Sequence, residues 1–278
     1  MTESDLWDAA ARARVSDRWL SESIHWNTAM TDALLVEAAL TPNSTVLDVA
    51  AGSGDPALTI AQRLKAGRVI ALDSSCNGLL LASAHARRIE LGSRVVCLQG
   101  DTHSIPLAQN SVDCITCRCG VMFFDDCSVV MSEMLRVLKP GGNVALLAWG
   151  KFEQPFFDAT VGIVLQLVRG AEMPSEARKM FRFAVPGALS GELRAVGFSN
   201  VHEQSLRVPR IWAGTPKELW KYQQQVSTLC DPLFASIPAG LKAEVDAKVL
   251  SALARFETGR DLRVPVDVIL ARATKEIE

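Results

Sequence analysis

The sequence predicts an α/β fold in which helices cover both faces of a mostly parallel sheet. Between residues 45 and 149, short apolar runs alternate with segments of helical periodicity. The apolar runs are nearly continuous, as expected for parallel strands that are buried on both faces. Because strands that alternate with helices pair in parallel, these two observations favour a doubly wound sheet.

Each element in this region follows from a local pattern. Apolar, β-rich runs predict strands at residues 45–49, 68–72, 94–98, 112–117 and 143–149. Apolar side chains at helical spacing predict helices at residues 56–64, 76–91 and 128–138. Asp55 and Pro56 fit the N-cap and the first position of the first helix. Gly92 is expected to end the second helix, and the Pro-Gly-Gly segment at 140–142 follows the third.

The flanking regions have looser patterns. The predicted divisions are an N-terminal helical cap, a core and a C-terminal part, at residues 1–42, 43–150 and 151–278. In the C-terminal part, residues 200–208 and 263–273 are predicted strands that complete the sheet. Helical patterns interrupted by proline turns predict a helical lid at about residues 212–260, before the last strand.

The composition excludes several classes of protein. A hydrophobic content of 49% over 278 residues supports a sizeable core. The net charge of −2, without blocks of like charge, does not indicate nucleic-acid binding. No apolar run approaches the roughly 20 residues that span a bilayer, and the first residues do not resemble a signal peptide. The seven scattered cysteines favour a reduced, cytoplasmic protein.

Three carboxylates stand at the ends of successive predicted strands, where ligands bind in open α/β sheets. Asp73 can accept the two hydroxyls of a ribose, and Asp101 can accept an adenine amino group. Asp48 can orient the glycine turn and hold an ammonium group, directly or through water. Gly52 and Gly54 let a ligand approach the backbone closely. S-adenosylmethionine carries all of these partners, so the sequence predicts it as the cofactor.

A dinucleotide site is the chief alternative. The segment from Gly52 to Ala57 matches the pattern G-x-G-x-x-A, and Asp73 follows at about the expected distance. Two features argue against it. Asp48 would bring negative charge toward a pyrophosphate, and Pro56 removes a backbone amide that a phosphate would use.

Five blocks of the sequence resemble the motif series of class I S-adenosylmethionine-dependent methyltransferases. These blocks are residues 46–54, 69–74, 100–106, 111–120 and 135–142. The most similar group is the ubiquinone/menaquinone C-methyltransferase-like (methyltransferase type 11) group. The resemblance covers about residues 43–150 well and residues 1–42 and 186–201 more loosely. It implies a Rossmann-like sheet of seven strands whose last strand is antiparallel.

The resemblance also implies which residues bind the cofactor. In relatives the glycine loop holds the methionine part, and many of them have glycine at the position of Ala50. Asp73 matches the ribose-binding acid, and Asp101 with Thr102 matches the adenine-side pair. Arg118 lies near the methionine end and can pair with a carboxylate of the substrate or cofactor. The predicted cofactor-binding residues are Asp48, Ala50, Gly52, Ser53, Gly54, Asp73, Ser74, Asp101, Thr102 and Arg118.

Methyl transfer from a sulfonium mainly requires alignment of the acceptor and exclusion of water. A general base helps when the acceptor is a hydroxyl or an acidic carbon. His25 is the predicted candidate, because it lies beside Trp26 in the segment that closes over the cofactor in relatives; the alternative is a structural histidine. Cys114, Cys117 and Cys119 would point to opposite faces of one strand, so no metal site is predicted.

The sequence therefore predicts a cytoplasmic methyltransferase that acts on a small, apolar or aromatic acceptor by direct displacement. Two alternatives stay open: a protein that binds S-adenosylmethionine without methyl transfer, and another cofactor-assisted reaction on the same fold. Neither the accepting atom (oxygen, nitrogen, carbon or sulfur) nor the oligomeric state follows from the sequence.

Overall fold

A computed structural model describes residues 7–8 and 17–277 of the chain, without the side chains of residues 17–24. The first part of the predicted N-terminal cap therefore lies outside the described residues. Among the residues that are described, no helix is both long and apolar enough to cross a membrane.

Within the described residues, seven strands form one sheet. They are β1 (Thr45–Val49), β2 (Arg68–Asp73), β3 (Val95–Gln99), β4 (Val112–Arg118), β5 (Leu138–Trp149), β6 (Ser199–Trp212) and β7 (Leu262–Thr274). Their order is β3-β2-β1-β4-β5-β7-β6. Strands β1 to β5 pair in parallel, whereas β7 is antiparallel to both β5 and β6. The predicted doubly wound, mostly parallel sheet is confirmed.

The helices connect the strands as the alternating pattern predicts. They are α1 (Asp17–Ala38), α2 (Ala57–Arg63), α3 (Cys76–Arg88), α4 (Cys127–Val137), α5 (Pro155–Asp158), α6 (Val161–Leu167), α7 (Ser175–Lys179), α8 (Ala188–Ala195), α9 (Pro216–Val226), α10 (Asp231–Ala235) and α11 (Lys242–Ala254). Helices α2, α3 and α4 are the crossovers between parallel strands. Helices α9 to α11 lie between β6 and β7, in the segment of the predicted lid.

Helix α1 covers the second half of the sheet, where it contacts β4, β5, β6 and β7. Its side chains Trp26, Met30 and Leu34 are buried, at helical spacing along one face. Strand β5 beneath it is buried without interruption from Val144 to Trp149. The helix runs along the sheet: Asn27 and Met30 lie toward the carboxyl ends of the strands, where ligands bind in such folds, whereas Ala38 accepts hydrogen bonds near the starts of β4 and β5.

Strand β6 is longer than the sequence pattern predicts. The predicted strand ends at residue 208, yet the observed strand continues to Trp212, with Pro209 in register with Pro265 of β7. Since β6 is at the edge of the sheet, a residue without an N–H is tolerated there. The extension carries Arg210 into the wall of a cavity.

The predicted N-cap of α2 is wrong. Pro56 occupies the N-cap position and no side chain caps the helix. The Asp55 carboxylate instead pairs with Arg118, and it also accepts a hydrogen bond from the Thr59 hydroxyl at 3.0 Å. A local capping rule failed here because a buried cation from β4 competes for the same carboxylate.

Candidate functional site

A cavity of about 840 Å³ opens at the carboxyl ends of the parallel strands. The residue at or just after the end of each strand β1 to β5 contributes to its wall: Ala50, Asp73, Gln99, Arg118 and Trp149. The centre of this row is the junction of β1 and β4, where the direction of strand order reverses. The cavity is therefore at the position that an open α/β sheet offers to a ligand.

The turn after β1 brings backbone to the cavity. Ala50, Gly52 and Gly54 all have positive φ, at 57°, 54° and 104°. A Cβ on Gly52 would meet no atom within 4 Å, so the space beside this residue is available to a ligand. A Cβ on Gly54 would lie 3.0 Å from the Cβ of Ala82, because this glycine packs on helix α3. One glycine thus faces the cavity and the other supports the turn.

The Asp73 carboxylate, at the end of β2, connects this turn to the next strand. Its Oδ2 accepts the amide of Gly52 at 2.7 Å, and its Oδ1 accepts the amide of Ser75 at 2.8 Å. Asp73 lines the cavity although it is only 8% exposed. It combines a fixed orientation with the acceptor chemistry that a ribose requires.

Asp48 is completely buried beneath the turn. Its Oδ1 accepts the hydroxyl of Thr116 on β4 at 2.7 Å, while Oδ2 accepts no hydrogen bond from the described residues. Burial raises the pKa of this carboxyl from 3.8 to about 7, against the lowering effect of the Thr116 hydroxyl. The carboxyl therefore keeps its proton below about pH 7 in the folded protein.

Arg118 has a partner within the chain. Its guanidinium forms an ion pair with the Asp55 carboxylate, contacts the Thr31 hydroxyl, and donates to the carbonyl oxygen of Asp55 at 2.9 Å. Both side chains of the pair are nearly buried, at 10% and 8% exposure. The sequence predicted that Arg118 pairs with a carboxylate of the substrate or cofactor. In the structure Asp55 occupies that place, so a ligand carboxylate would compete with it. The pair also joins α1 to the glycine turn.

At the other end of the cavity, β3 leads into Asp101 and Thr102. The Asp101 carboxylate accepts a hydrogen bond from the amide of His103 at 2.9 Å. It also lies 2.8 Å from Nδ1 of the His103 imidazole ring. Both hydrogen bonds lower the pKa of Asp101, and the one from the His103 amide has the larger effect. Since its carboxylate is exposed, it can still receive a donor at the rim of the cavity.

The structure brings most of the predicted cofactor-binding residues together. Those that line the cavity are Ala50, Gly52, Ser53, Asp73, Ser74, Asp101, Thr102 and Arg118. Asp48 and Gly54 are not part of its wall and support the turn from behind. Gly78, Gly100 and Gly120 also line the cavity. The sequence offered little signal for these three, because an isolated glycine most often marks a turn.

His25, the predicted candidate for a general base, is not brought to the cavity. It is exposed and is not among the residues that line the cavity. Trp26, its neighbour, is fully buried against the sheet. Because successive residues of a helix point about 100° apart, the burial of Trp26 turns His25 away from the site.

Beyond the glycine turn, the cavity continues into a space that we call the aromatic chamber. Its rings come from β5, α5, α9 and α10, and they are Trp149, Phe156, Phe157, Trp220, Tyr222 and Phe234. Phe123 and Phe124 are also in the cavity wall. Phe123 packs edge-on against Trp7 with ring centroids 4.9 Å apart.

Arg210 lines the same cavity and was not among the predicted site residues. The alternation of side chains along β6 could have indicated that Arg210 points inward. It places Arg210 on the same face as Val208 and the buried Trp212. An arginine at an inward position of a strand is unusual, because charged side chains are rarely buried.

The comparisons with known proteins agree with the resemblance that the sequence motifs indicate. Residues 47–146 match the methyltransferase domain family Methyltransf_11. The demethylmenaquinone methyltransferase of Lactiplantibacillus plantarum is 28% identical over 191 residues, which cover 65% of this chain and 79% of that protein. The ubiquinone/menaquinone biosynthesis C-methyltransferase UbiE of Klebsiella pneumoniae is 27% identical over 212 residues, covering 71% and 82% of the two chains.

A solved structure shares the fold over nearly the whole chain. It is phosphoethanolamine N-methyltransferase 2 of Haemonchus contortus, in complex with phosphomonomethylethanolamine and S-adenosylhomocysteine. The TM-score is 0.60 at 17% identity, and the match covers 99% of this chain and 60% of that one. These matches confirm the resemblance to the class I S-adenosylmethionine-dependent methyltransferases, in the group similar to the ubiquinone/menaquinone C-methyltransferases.

Proposed function

We propose that the protein methylates a small, apolar or aromatic molecule held in the aromatic chamber. The observation that carries this proposal is the continuity of one cavity, which runs from Asp73 and the glycine turn to the rings of the chamber. S-adenosylmethionine supplies an activated methyl group on a sulfonium when bound. A chamber of rings next to the methionine end favours an acceptor with an apolar face.

The residues around the glycine turn have the chemistry to hold the cofactor. We assign the methionine part to the backbone of Ala50, Gly52 and Ser53, with Asp48 behind it as the acceptor for positive charge. Asp73, with Ser74 beside it, is assigned to the ribose hydroxyls, and Asp101 with Thr102 to the adenine. The support is their common position in one cavity wall and the open space beside Gly52.

The segment between β6 and β7 supplies the far wall of the chamber. Trp220, Tyr222 and Gln223 of α9 and Phe234 of α10 line it. The indole of Trp220 donates to Asp246 of α11 at 2.7 Å, so α9 is anchored on the helix behind it. We propose that this lid excludes water and determines which acceptor fits, because removal of water favours methyl transfer over side reactions.

The protein then contributes to the reaction by positioning the acceptor relative to the methyl group. The rings hold the acceptor next to the end of β4, and no acid–base residue of the described cavity wall is assigned to the step. Alignment of this kind supplies a large share of the rate in such displacements. All seven cysteines are free thiols, which supports a reducing location such as the cytoplasm.

The test is turnover with a panel of acceptors, followed by mass spectrometry. We expect formation of S-adenosylhomocysteine together with a product heavier by one CH2 unit, with apolar or aromatic acceptors and not with polar aliphatic ones. Trp220→Ala should raise KM for the acceptor and leave KM for S-adenosylmethionine nearly unchanged. Lys221→Ala, an exposed neighbour on the same helix, is the matched control. Turnover confined to polar aliphatic acceptors would contradict the proposal.

A further inference from the structure

One polar side chain lies in the middle of the face that the lid turns to the cavity. Trp220, Gln223 and Val226 recur at intervals of three residues along α9, and all three line the cavity. Side chains at this spacing share one face of a helix. Gln223 is only 7% exposed, whereas glutamine is mostly found at protein surfaces. Its place between two apolar wall residues therefore calls for an explanation.

The helix that carries Gln223 is held in position by two sets of hydrogen bonds. At its start, Oγ1 of Thr215 accepts a hydrogen bond from the amide of Glu218 at 3.3 Å, and Oε2 of Glu218 accepts one from the amide of Thr215 at 3.0 Å. In its middle, the indole of Trp220 donates to Asp246 of α11 at 2.7 Å. The fold therefore sets the position of Gln223 in the wall independently of a ligand.

The carboxamide of Gln223 is oriented by a neighbour. The hydroxyl of Ser227, which follows α9 and also lines the cavity, donates to Oε1 of Gln223 at 3.1 Å. Nε2 donates to none of the described residues, but it is not sealed inside the protein as the indole nitrogen of Trp26 is. Because the residue belongs to the cavity wall, the N–H donors of Nε2 are directed to the cavity space.

These donors select for an oxygen on the ligand. The wall on either side of Gln223 along α9 is formed by Trp220 and Val226, and the ring of Phe234 packs edge-on against Trp220 with centroids 5.4 Å apart. A ligand that fills this part of the chamber displaces water from Nε2, and an unpaired N–H in an apolar environment is costly. A carbonyl oxygen replaces the lost water. A hydroxyl fits less well, because it also brings a proton and Oε1 of Gln223 is already engaged with Ser227.

We propose that Gln223 determines specificity by donating a hydrogen bond to a carbonyl oxygen of the acceptor. The inference rests on the proposed function, and it narrows the acceptor to an apolar or aromatic molecule that carries a ketone, ester or amide carbonyl. Ser227 is a positioning residue, because it acts through the orientation of the carboxamide. A site built to hydrogen-bond an oxygen rejects an analogue without it more strongly than it rejects a small change in apolar volume.

A purely structural role is the competing explanation, because the hydrogen bond between Ser227 and Gln223 closes the last turn of α9. That role predicts that loss of the carboxamide lowers stability and weakens carbonyl and hydrocarbon ligands equally. Recognition of a carbonyl predicts a selective loss for the carbonyl ligand. The ratio of the two affinities, compared between wild type and variant, separates the explanations, because differences in ligand hydration cancel.

The experiment uses the full chain saturated with S-adenosylhomocysteine and two pairs of probes, benzophenone with diphenylmethane and acetophenone with ethylbenzene. Within each pair a carbonyl group replaces a CH2 group. Calorimetry gives the affinities, and infrared difference spectroscopy of an isotope-labelled carbonyl reports its hydrogen bonding. We expect the carbonyl band of at least one bound ketone to lie at lower frequency than in hexane, because a hydrogen bond to the oxygen weakens the C=O bond.

Variants assign this hydrogen bond to Gln223. Gln223→Leu should weaken ketone binding by about fivefold to a hundredfold, change hydrocarbon binding much less, and move the carbonyl band toward its position in hexane. Ser227→Ala should lower the affinity ratio in part, because the carboxamide then rotates more freely. Gln225→Leu is the matched control, because Gln225 lies on the same helix, is exposed and does not line the cavity. It should leave the ratio and the band unchanged.

Three results would overturn the proposal: a carbonyl band of every bound ketone at its position in hexane, binding of the hydrocarbons but of no ketone, or an unchanged affinity ratio in Gln223→Leu. The first two apply even if Gln223→Leu fails to fold. Binding of S-adenosylhomocysteine is measured beforehand, and its absence would contradict the function itself. Binding of none of the probes would contradict the apolar acceptor class, whereas binding of both kinds without a carbonyl hydrogen bond would contradict only the role of Gln223.

Discussion

The backbone amide of Gly52 donates a hydrogen bond to Oδ2 of Asp73 at 2.7 Å. The carboxylate assigned to the ribose is thus also a structural part of the glycine turn assigned to the methionine part. Next to it, the amide of Ala51 bonds to the carbonyl oxygen of Leu72 at 3.0 Å. Under this assignment one connected unit binds the methionine part and the neighbouring ribose, so a change at Asp73 should affect both.

The ion pair of Arg118 and Asp55 should contribute strongly to stability. Arg118→Met leaves the Asp55 carboxylate buried without its cation, and loss of one partner of a buried pair costs about 3–5 kcal/mol. Urea unfolding followed by fluorescence measures the effect. The matched control is Arg63→Met, which breaks the half-exposed pair with Asp32 and should cost less than about 1 kcal/mol. Similar losses for both variants would contradict this assignment.

Gly120 is required for close packing between the ends of β1 and β4. A Cβ at this position would lie 2.5 Å from the Cβ of Ala50 and 3.0 Å from Sγ of Cys117. Gly120→Ala should therefore cost about 1–3 kcal/mol and weaken cofactor binding through the displaced turn. Gly191→Ala on helix α8 is the control, because its Cβ would meet open space. It should be stabilising by about 0.5–1 kcal/mol in thermal or urea unfolding. Unchanged stability and cofactor affinity in Gly120→Ala would contradict this requirement, because the ends of β1 and β4 would then be able to move apart.

The buried carboxyl of Asp48 should make stability depend on pH. Its pKa is raised from 3.8 to about 7, chiefly by burial, so the folded protein keeps a proton that the unfolded chain has released. The native state binds more protons across this window, and stability therefore falls as pH rises from about 4 to 7 and then levels off.

Asp48→Asn removes this titration and keeps an acceptor for Thr116. The stability of the variant relative to the wild type should increase by about 2–3 kcal/mol between pH 5 and pH 8, in the absence of cofactor. Urea unfolding at the two pH values measures it. A relative stability that does not change with pH would show that Asp48 is ionised at pH 5 in the folded protein.

Local rules predicted the strands and the carboxylates well. Asp73 ends an apolar run, and such a run is a strand whose end lies at the ligand-binding edge of the sheet. They failed where a contact joins distant parts of the chain. Asp55 has the local context of an N-cap, but its partner Arg118 is 63 residues away. His25 was chosen for its neighbour Trp26, although neighbours on a helix face different directions.

Arg210 shows a second limit of prediction from sequence. The period of two indicates that it points inward, but the aromatic partners Trp26, Trp149 and Phe156 come from three separate elements. Only the folded chain brings these rings around one cation. Chamber residues contributed by several elements are therefore the part of the site that sequence patterns describe least.

The most direct test of the account is calorimetric titration of the wild-type protein and Asp73→Ala with S-adenosylmethionine, S-adenosylhomocysteine and NAD. We predict saturable binding of the first two ligands and not of NAD. In Asp73→Ala the affinity should fall by about a hundredfold or more, since a buried acceptor for the ribose and for Gly52 is lost, while cooperative unfolding is retained. Unchanged affinity in Asp73→Ala, or binding of NAD alone, would contradict the assignment of this cleft.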